Sequence, residues 1–420
     1  MNLYPHQTEV LEASKSQNRV AYYYDMGLGK TFIGSEKLAQ LNARYNLVIC
    51  QKSKVKDWVE HFKKFYPDKT VIDYTKSKSK LGEGIIVVNY DLVWRRPEFS
   101  QLRDITLMLD ESSLIQNESS KRSKFILRRL HFANVILLSG TPCSGKYEKL
   151  WSQCQLLGWN ISKRDFYSRY IIEQEINIAN TPYPVKIVVG YKNTDELKSM
   201  LRKYGSYFLK TEEVISLPEQ TFVDISVPTT AKYRKFCKDL IVEVGHQTLV
   251  GSTTLNRMLY ERILCAQYND EKLTAFADLL ESTDDRLIVF YNFNEELYAL
   301  KKAIGNSRPI SEVNGHTKDL TAYENEENSV TLCQYTSAAK GLNLQKANKI
   351  LYFSPTLSCE DWMQSQKRIH RIGQKNACFY YKLVCSKSIE ERIYTALARG
   401  VDYTNKLFEE ETQQVTKKIK

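Results

Sequence analysis

Three short stretches of this chain hold the residue types that phosphate chemistry needs. The first is Gly27-Leu28-Gly29-Lys30-Thr31, entered through Asp25-Met26. Small residues let backbone N–H groups approach an anion, the lysine reaches the β- and γ-phosphates, and the neighbouring hydroxyl reaches Mg²⁺. The second is Asp110-Glu111, followed by Ser112-Ser113. Its first acid suits Mg²⁺ and its second suits polarising an attacking water, the pair an ATPase requires. The third holds Arg368 and Arg371, three residues apart and therefore on one face if the stretch is helical. Two guanidiniums aimed at a departing γ-phosphoryl group neutralise its charge, although an isolated R-x-x-R is more often a solvated helix end.

Elements of the right kind flank each stretch. Residues 19–24, Arg-Val-Ala-Tyr-Tyr-Tyr, read as a buried strand, and 32–41 read as a helix with Ile33, Leu38 and Leu41 inward. Strand, glycine loop and helix is the setting a phosphate loop needs. The full phosphate-loop pattern asks for glycine at position 24, which is Tyr24. The carboxylates end an apolar strand over 105–109, and Ser139-Gly140-Thr141-Pro142 ends another over 134–138. Gln7 lies shortly before the loop, and its amide offers a donor and an acceptor to an adenine edge. Strands are also expected over 46–50 and 84–88. After the first of these, Ser53 caps a helix with Val55, Trp58, Val59, Phe62 and Phe65 inward. Lys52, Lys54 and Lys56 lie at that junction, the end where open α/β sheets bind ligands. They read equally as a phosphate-backbone contact and as a solvated basic face.

A first α/β lobe is expected to end near Leu217-Pro218-Glu219. A helical arm over 229–282 opens the second lobe, and strands over 287–291, 310–313, 330–333, 350–353 and 379–384 complete it. The second lobe has no phosphate loop of its own. The expected division is 1–218, 219–400 and a polar tail over 401–420.

The chain has 420 residues, a net charge of +11 and a pI near 9.0, which favours a polyanionic partner, most often nucleic acid. Its nine cysteines show no C-x-x-C and no His/Cys cluster, which points to a reducing compartment and no structural zinc. No stretch has the apolar length of a membrane span and the start is unlike a leader, so an intracellular, cytoplasmic protein is expected.

In series these pieces resemble the Swi/Snf-like branch of helicase superfamily two, over roughly residues 3 to 398. Residues 3–7 are similar to that family's adenine-reading glutamine motif, 25–31 to its D-E-M-G-L-G-K-T loop and 110–113 to its D-E-A-H box. Residues 138–142 are similar to its L-T-G-T-P motif, 287–293 to its fourth motif and 337–344 to its G-G-x-G-L-N-L segment. Residues 368–374, Arg-Ile-His-Arg-Ile-Gly-Gln, resemble R-x-H-R-I-G-Q, the most distinctive of the series.

The resemblance implies two tandem RecA-like lobes with parallel sheets and helical insertions, with ATP and Mg²⁺ in the cleft between lobes. Gln7, residues 25–31 and Gly341 would bind nucleotide, and Thr31 and Asp110 would hold the metal. Lys30, Asp110, Glu111, Arg368 and Arg371 would be catalytic. Lys52, Ser139, Thr141, Thr336 and Asn343 would couple the site to DNA. The implied activity is an ATP-driven translocase on duplex DNA, acting as a monomer in a bacterial cell or in the host of a bacteriophage.

Several positions depart from the family pattern. Ser113 stands where a histidine usually couples the carboxylate box to the Thr-Pro motif, Ala338 and Ala339 replace glycines, and Lys210-Thr211 replaces an Arg-Arg pair. A non-glycine at position 24 is common in the branch, but the tyrosine run there has no explanation in the sequence. A strand-separating helicase, with a pin near 76–84, stays open, as does a non-hydrolysing DNA-binding protein on a degenerate motor fold.

Overall fold

The computed structural model describes residues 3–76, 81–143, 146–176, 184–214, 217–245, 247–338 and 342–400. Expectations for Gly341, Ala339, residues 77–80 of the 76–84 loop and the 401–420 tail fall outside these. The chain divides into two compact units, Met1–Ser216 and Leu217–Lys420.

Unit one is built on a seven-stranded sheet in the order Val71–Asp73, Gly84–Asn89, Tyr45–Cys50, Ile105–Asp110, Phe132–Ser139, Arg19–Tyr24, Ser206–Leu209. Every neighbouring pair is parallel. Parallel strands are covered by helices on both faces, which is why the inner ones read as unbroken apolar runs. The helix Lys30–Leu41 packs closely across this sheet at Gly34, where an added Cβ would stand 2.7 Å from Leu138 Cδ1. Buried Lys37, on the same helix, donates to the Ser14 carbonyl at 2.6 Å and so holds the end of the Pro5–Ala13 helix, which carries Gln7.

Unit two has a second seven-stranded sheet in the order Gln220–Val227, Cys378–Cys385, Lys349–Tyr352, Leu287–Tyr291, Val330–Gln334, Ile310–Val313, Lys318–Asp319. Only the last pair is antiparallel. These are the two tandem α/β lobes with largely parallel sheets that the sequence leads one to expect.

Some details differ from expectation. The arm over 229–282 is not wholly helical. A hairpin, Ile241–Val244 with Gln247–Val250, interrupts the helices Ala231–Asp239, Thr254–Ala266 and Asp270–Glu281. Its short alternating strands bury Val242 and Leu249 on one face and expose Ile241 and Val250 on the other. The Gln220–Val227 edge strand was not expected either, and it pairs along its whole length with Cys378–Cys385. Ser53 does not cap a helix. It lies in a single 3₁₀ turn, Lys52–Lys54, ahead of the helix Val55–Phe65.

A buried ion pair closes unit two. The Lys272 ammonium donates to both oxygens of Glu390 at 2.5 and 2.7 Å, and Glu390 Oε2 also accepts from the Cys385 N–H. Cys265, Cys385 and Glu390 bring their ligand-type atoms within 4.8 Å of one another, and the cation facing that carboxylate is Lys272. Lys272→Met leaves a buried carboxylate without its cation. We expect a loss of about 3–5 kcal/mol, read as a lower urea midpoint.

Candidate functional site

The loop, the Ser-Gly-Thr-Pro turn and the carboxylates leave the carboxyl ends of three adjacent strands, Arg19–Tyr24, Phe132–Ser139 and Ile105–Asp110. In an open α/β sheet this is the ligand-binding edge.

Gly29 sits at the N-cap of the helix Lys30–Leu41 with φ of +75°, and a Cβ there would meet Gln7 Nε2 at 2.0 Å. Glycine is therefore required twice over, by its backbone angle and by the approach of Gln7. Gln7 is only 2% exposed, its Nε2 donates to the Leu28 carbonyl at 3.2 Å, and its Oε1 accepts from the Tyr4 N–H at 2.9 Å. Thus it braces the loop, and only the second N–H and second lone pair of the amide remain for a base. The Lys30 ammonium donates to the carbonyls of Tyr24, at 2.6 Å, and Asp25, at 3.1 Å. Thr31 is exposed in the first helical turn. Met26, Gly27 and Leu28 complete the loop, with Leu28 fully buried.

Asp25 is turned to another task. Its Oδ2 accepts from the backbone N–H and the hydroxyl of Thr211 at 3.2 and 3.3 Å. The Lys210-Thr211 departure thus supplies a fastening for the loop entrance.

Asp110 keeps some accessible surface yet sits deep among protein atoms. Burial pushes its carboxyl up from the ordinary range, and the Trp58 indole N–H, 2.8 Å from Oδ2, opposes that. Oδ1 has no hydrogen-bond partner among the described residues. Glu111 follows with φ of +59°, a left-handed backbone that side-chain-bearing residues seldom adopt. Its Oε1 accepts from the hydroxyls of Ser139 at 2.8 Å and Ser113 at 3.1 Å, and Ser139 Oγ in turn accepts from the Thr141 N–H at 3.2 Å. A chain of hydrogen bonds therefore runs from the Thr-Pro turn to the second carboxylate. Ser113 contributes to it by gripping Glu111 directly.

A second link, missed in the sequence, passes through Gln153. Its Oε1 accepts from the hydroxyls of Tyr23 at 2.9 Å and Ser112 at 2.7 Å, and its Nε2 donates to the Pro142 carbonyl at 2.8 Å. One buried amide thus joins the strand before the loop, the carboxylate turn and the Thr-Pro turn. This accounts for part of the tyrosine run, where two of the three hydroxyls find buried partners. Tyr23 reaches Gln153, the Tyr22 hydroxyl meets Ser14 Oγ at 2.7 Å, and Tyr24 receives Lys30 on its carbonyl. Gln153→Met would strand buried polar groups on three elements. We expect a stability loss on the order of 2 kcal/mol or more by chemical denaturation.

In unit two the arginines do not share a helical face. The helix Cys359–Gln366 ends before them, and 367–374 form a turn. Arg368 is 4% exposed. It donates from Nε to the Gln364 carbonyl at 3.1 Å and from Nη1 to the Leu342 carbonyl at 2.7 Å, while its own carbonyl accepts from the Leu344 N–H. It clasps the segment carrying Asn343. Gln374 closes the same turn by donating to the Ala347 carbonyl at 2.8 Å. Arg371 differs, because its Nε is buried without a hydrogen-bond partner among the described residues. Burial lowers its pKa, but a guanidinium starts so high that it stays charged. Thr336 and Asn343 are exposed.

Two basic surfaces belong to unit one. Lys52 is exposed in its 3₁₀ turn. Farther off, the half-buried Trp94 ring carries the Arg95 guanidinium at 5.0 Å and the Lys121 ammonium at 5.1 Å, and Lys124, Arg128 and Arg129 line the same hollow. No carboxylate pairs with these cations among the described residues.

Comparison with known proteins agrees with this geometry. The family model described as SNF2-related domain matches residues 21–277, well over half of the chain. The chain is similar to the Transcription regulatory protein SNF2 of Saccharomyces cerevisiae, with 24% identity over 92% of this chain and 26% of that protein. It is also similar to the SWI/SNF-related matrix-associated actin-dependent regulator of chromatin subfamily A-like protein 1 of Xenopus tropicalis, with 24% identity over 95% and 44%. It therefore spans about a quarter of the first relative and under half of the second. Among solved structures it is similar to the Sulfolobus solfataricus SWI2/SNF2 ATPase core in complex with dsDNA, at 21% identity and a TM-score of 0.46, covering 98% of this chain and 92% of that one. With well over half of its length matched by that model, and with the loop, carboxylate box and Thr-Pro turn meeting at one sheet edge, the chain belongs to the SNF2-related domain family, in the Swi/Snf-like branch of helicase superfamily two.

Proposed function

We propose that the chain hydrolyses ATP in response to DNA and uses the energy to move along duplex DNA. The observation that carries this reading is the hydrogen-bonded path from Thr141 through Ser139 to Glu111, which ties the turn expected to sense DNA to the residue expected to activate water. The Gly27–Lys30 backbone and the Lys30 ammonium would cradle the phosphates, with Gln7 and His6 fixing the loop through Leu28.

Thr31 Oγ1 and Asp110 Oδ1 would both offer oxygen, which fits a hard divalent cation such as Mg²⁺. When bound, that ion neutralises phosphate charge. Glu111 takes up the proton of the attacking water or orients it. Arg371, whose Nε–H is buried without a partner among the described residues, is the arginine we assign to donate to a phosphate oxygen. Arg368 serves mainly to hold the turn that presents Arg371.

The net charge of +11 and the cations around Trp94, which have no carboxylate partner among the described residues, support a nucleic-acid partner held mainly by its backbone. Displacement of a triplex strand from duplex DNA tests movement, with fork unwinding as the contrasting assay and Lys30→Ala as the inactive control. ATP-dependent triplex displacement without fork unwinding is the expected outcome. Unwinding with no displacement would replace translocation by strand separation.

A further inference from the structure

Trp58 reads from the sequence as a core aromatic, and most of its surroundings agree. It is 3% exposed on the helix Val55–Phe65, stacked on Phe62 at 5.4 Å between ring centroids and edge-on to His61 at 5.8 Å. Packing explains the ring. It does not explain where the single polar atom of that ring points.

An indole N–H can only donate, and burying it demands an acceptor. Here the acceptor is Asp110 Oδ2 at 2.8 Å, on a strand tip 52 residues away in sequence. A bond from N–H to carboxylate is charge-assisted and directional. Its donor is fixed by ring packing on one side and its acceptor by the end of the Ile105–Asp110 strand on the other. With Oδ2 pinned, rotation of the carboxylate is suppressed and the direction of Oδ1 is set. The Asp110 carbonyl is held as well, by the Tyr90 hydroxyl at 3.0 Å.

We infer that Trp58 is a positioning residue for the metal-binding carboxylate, acting through its indole N–H to aim Asp110 Oδ1 at the cation that accompanies the nucleotide. This rests on the reading of Asp110 as a Mg²⁺ ligand and goes beyond it by naming the group that orients the ligand. Partners that orient a metal ligand typically carry a 10–100-fold effect on metal affinity.

The test is the affinity of the full chain for a fluorescent ADP analogue, measured in Mg²⁺ and in EDTA. In the unaltered chain Mg²⁺ is expected to tighten binding. In Trp58→Phe, which keeps an aromatic ring and removes the donor, metal-free affinity should stay within about twofold, while the tightening by Mg²⁺ falls roughly 10-fold or more. A purely structural role would weaken both conditions alike. Trp58→benzothienylalanine retains the fused ring without its N–H and guards against misfolding of the phenylalanine variant. Undiminished tightening by Mg²⁺ in either folded variant overturns the inference. Absence of any Mg²⁺ effect in the unaltered chain overturns instead the reading of Asp110 on which it rests.

Discussion

Arg371→Ala is expected to lower DNA-stimulated ATP turnover by about 10³-fold or more while leaving the fold as stable as before. The size follows from the role, since an arginine meeting the charge of a transferring phosphoryl group contributes on that scale. The unchanged stability follows from the geometry. Arg371 Nε is buried without a partner among the described residues, so deleting the guanidinium relieves a desolvation cost. Arg368→Ala makes the contrast. Its guanidinium bonds the carbonyls of Gln364 and Leu342, so its loss should lower the urea midpoint together with the rate. Turnover by Arg371→Ala within tenfold of the unaltered chain would remove it from the reaction.

Glu111→Gln should cost about 10²–10⁴-fold in turnover while Mg²⁺-dependent nucleotide binding persists. A glutamine carbonyl still accepts from the Ser139 and Ser113 hydroxyls that now hold Glu111 Oε1, so the turn should keep its shape. What disappears is the group able to take a proton. The left-handed backbone of Glu111 adds weight, because strain of this kind persists where the surroundings impose it. Rapid turnover by a folded Glu111→Gln chain would show that water is activated elsewhere.

Much of this was legible in the sequence, for identifiable reasons. Inner parallel strands are largely apolar, so 105–109, 134–138 and 287–291 announce themselves, and the carboxylates and the Thr-Pro turn follow directly from the first two. Edge elements carry weaker patterns. Gln220–Val227 alternates exposed and half-buried residues, and the 241–250 hairpin consists of four-residue strands set among helices.

The partners of the motifs were harder to foresee. Trp58, Gln153 and Thr211 act on residues 52, 41 and 186 positions away, and no local spacing records such pairings. One signal was available in the tyrosine run. Three hydroxyl-bearing rings in a buried strand must find partners, and two of them find Gln153 and Ser14. The condition on the arginine pair, a shared face if the stretch is helical, is not met for a different reason. Spacing of three fits a helix, but Gly373, at φ of +95°, belongs to a turn.

The most direct test of the central claim is the steady-state ATPase rate of the full chain against duplex DNA, single-stranded DNA and RNA at one fixed salt concentration, with Lys30→Ala as control. A duplex-coupled motor predicts a low basal rate, its largest stimulation by duplex DNA, and none in the control. Turnover that is absent on every nucleic acid, or equally fast with none present, would contradict it.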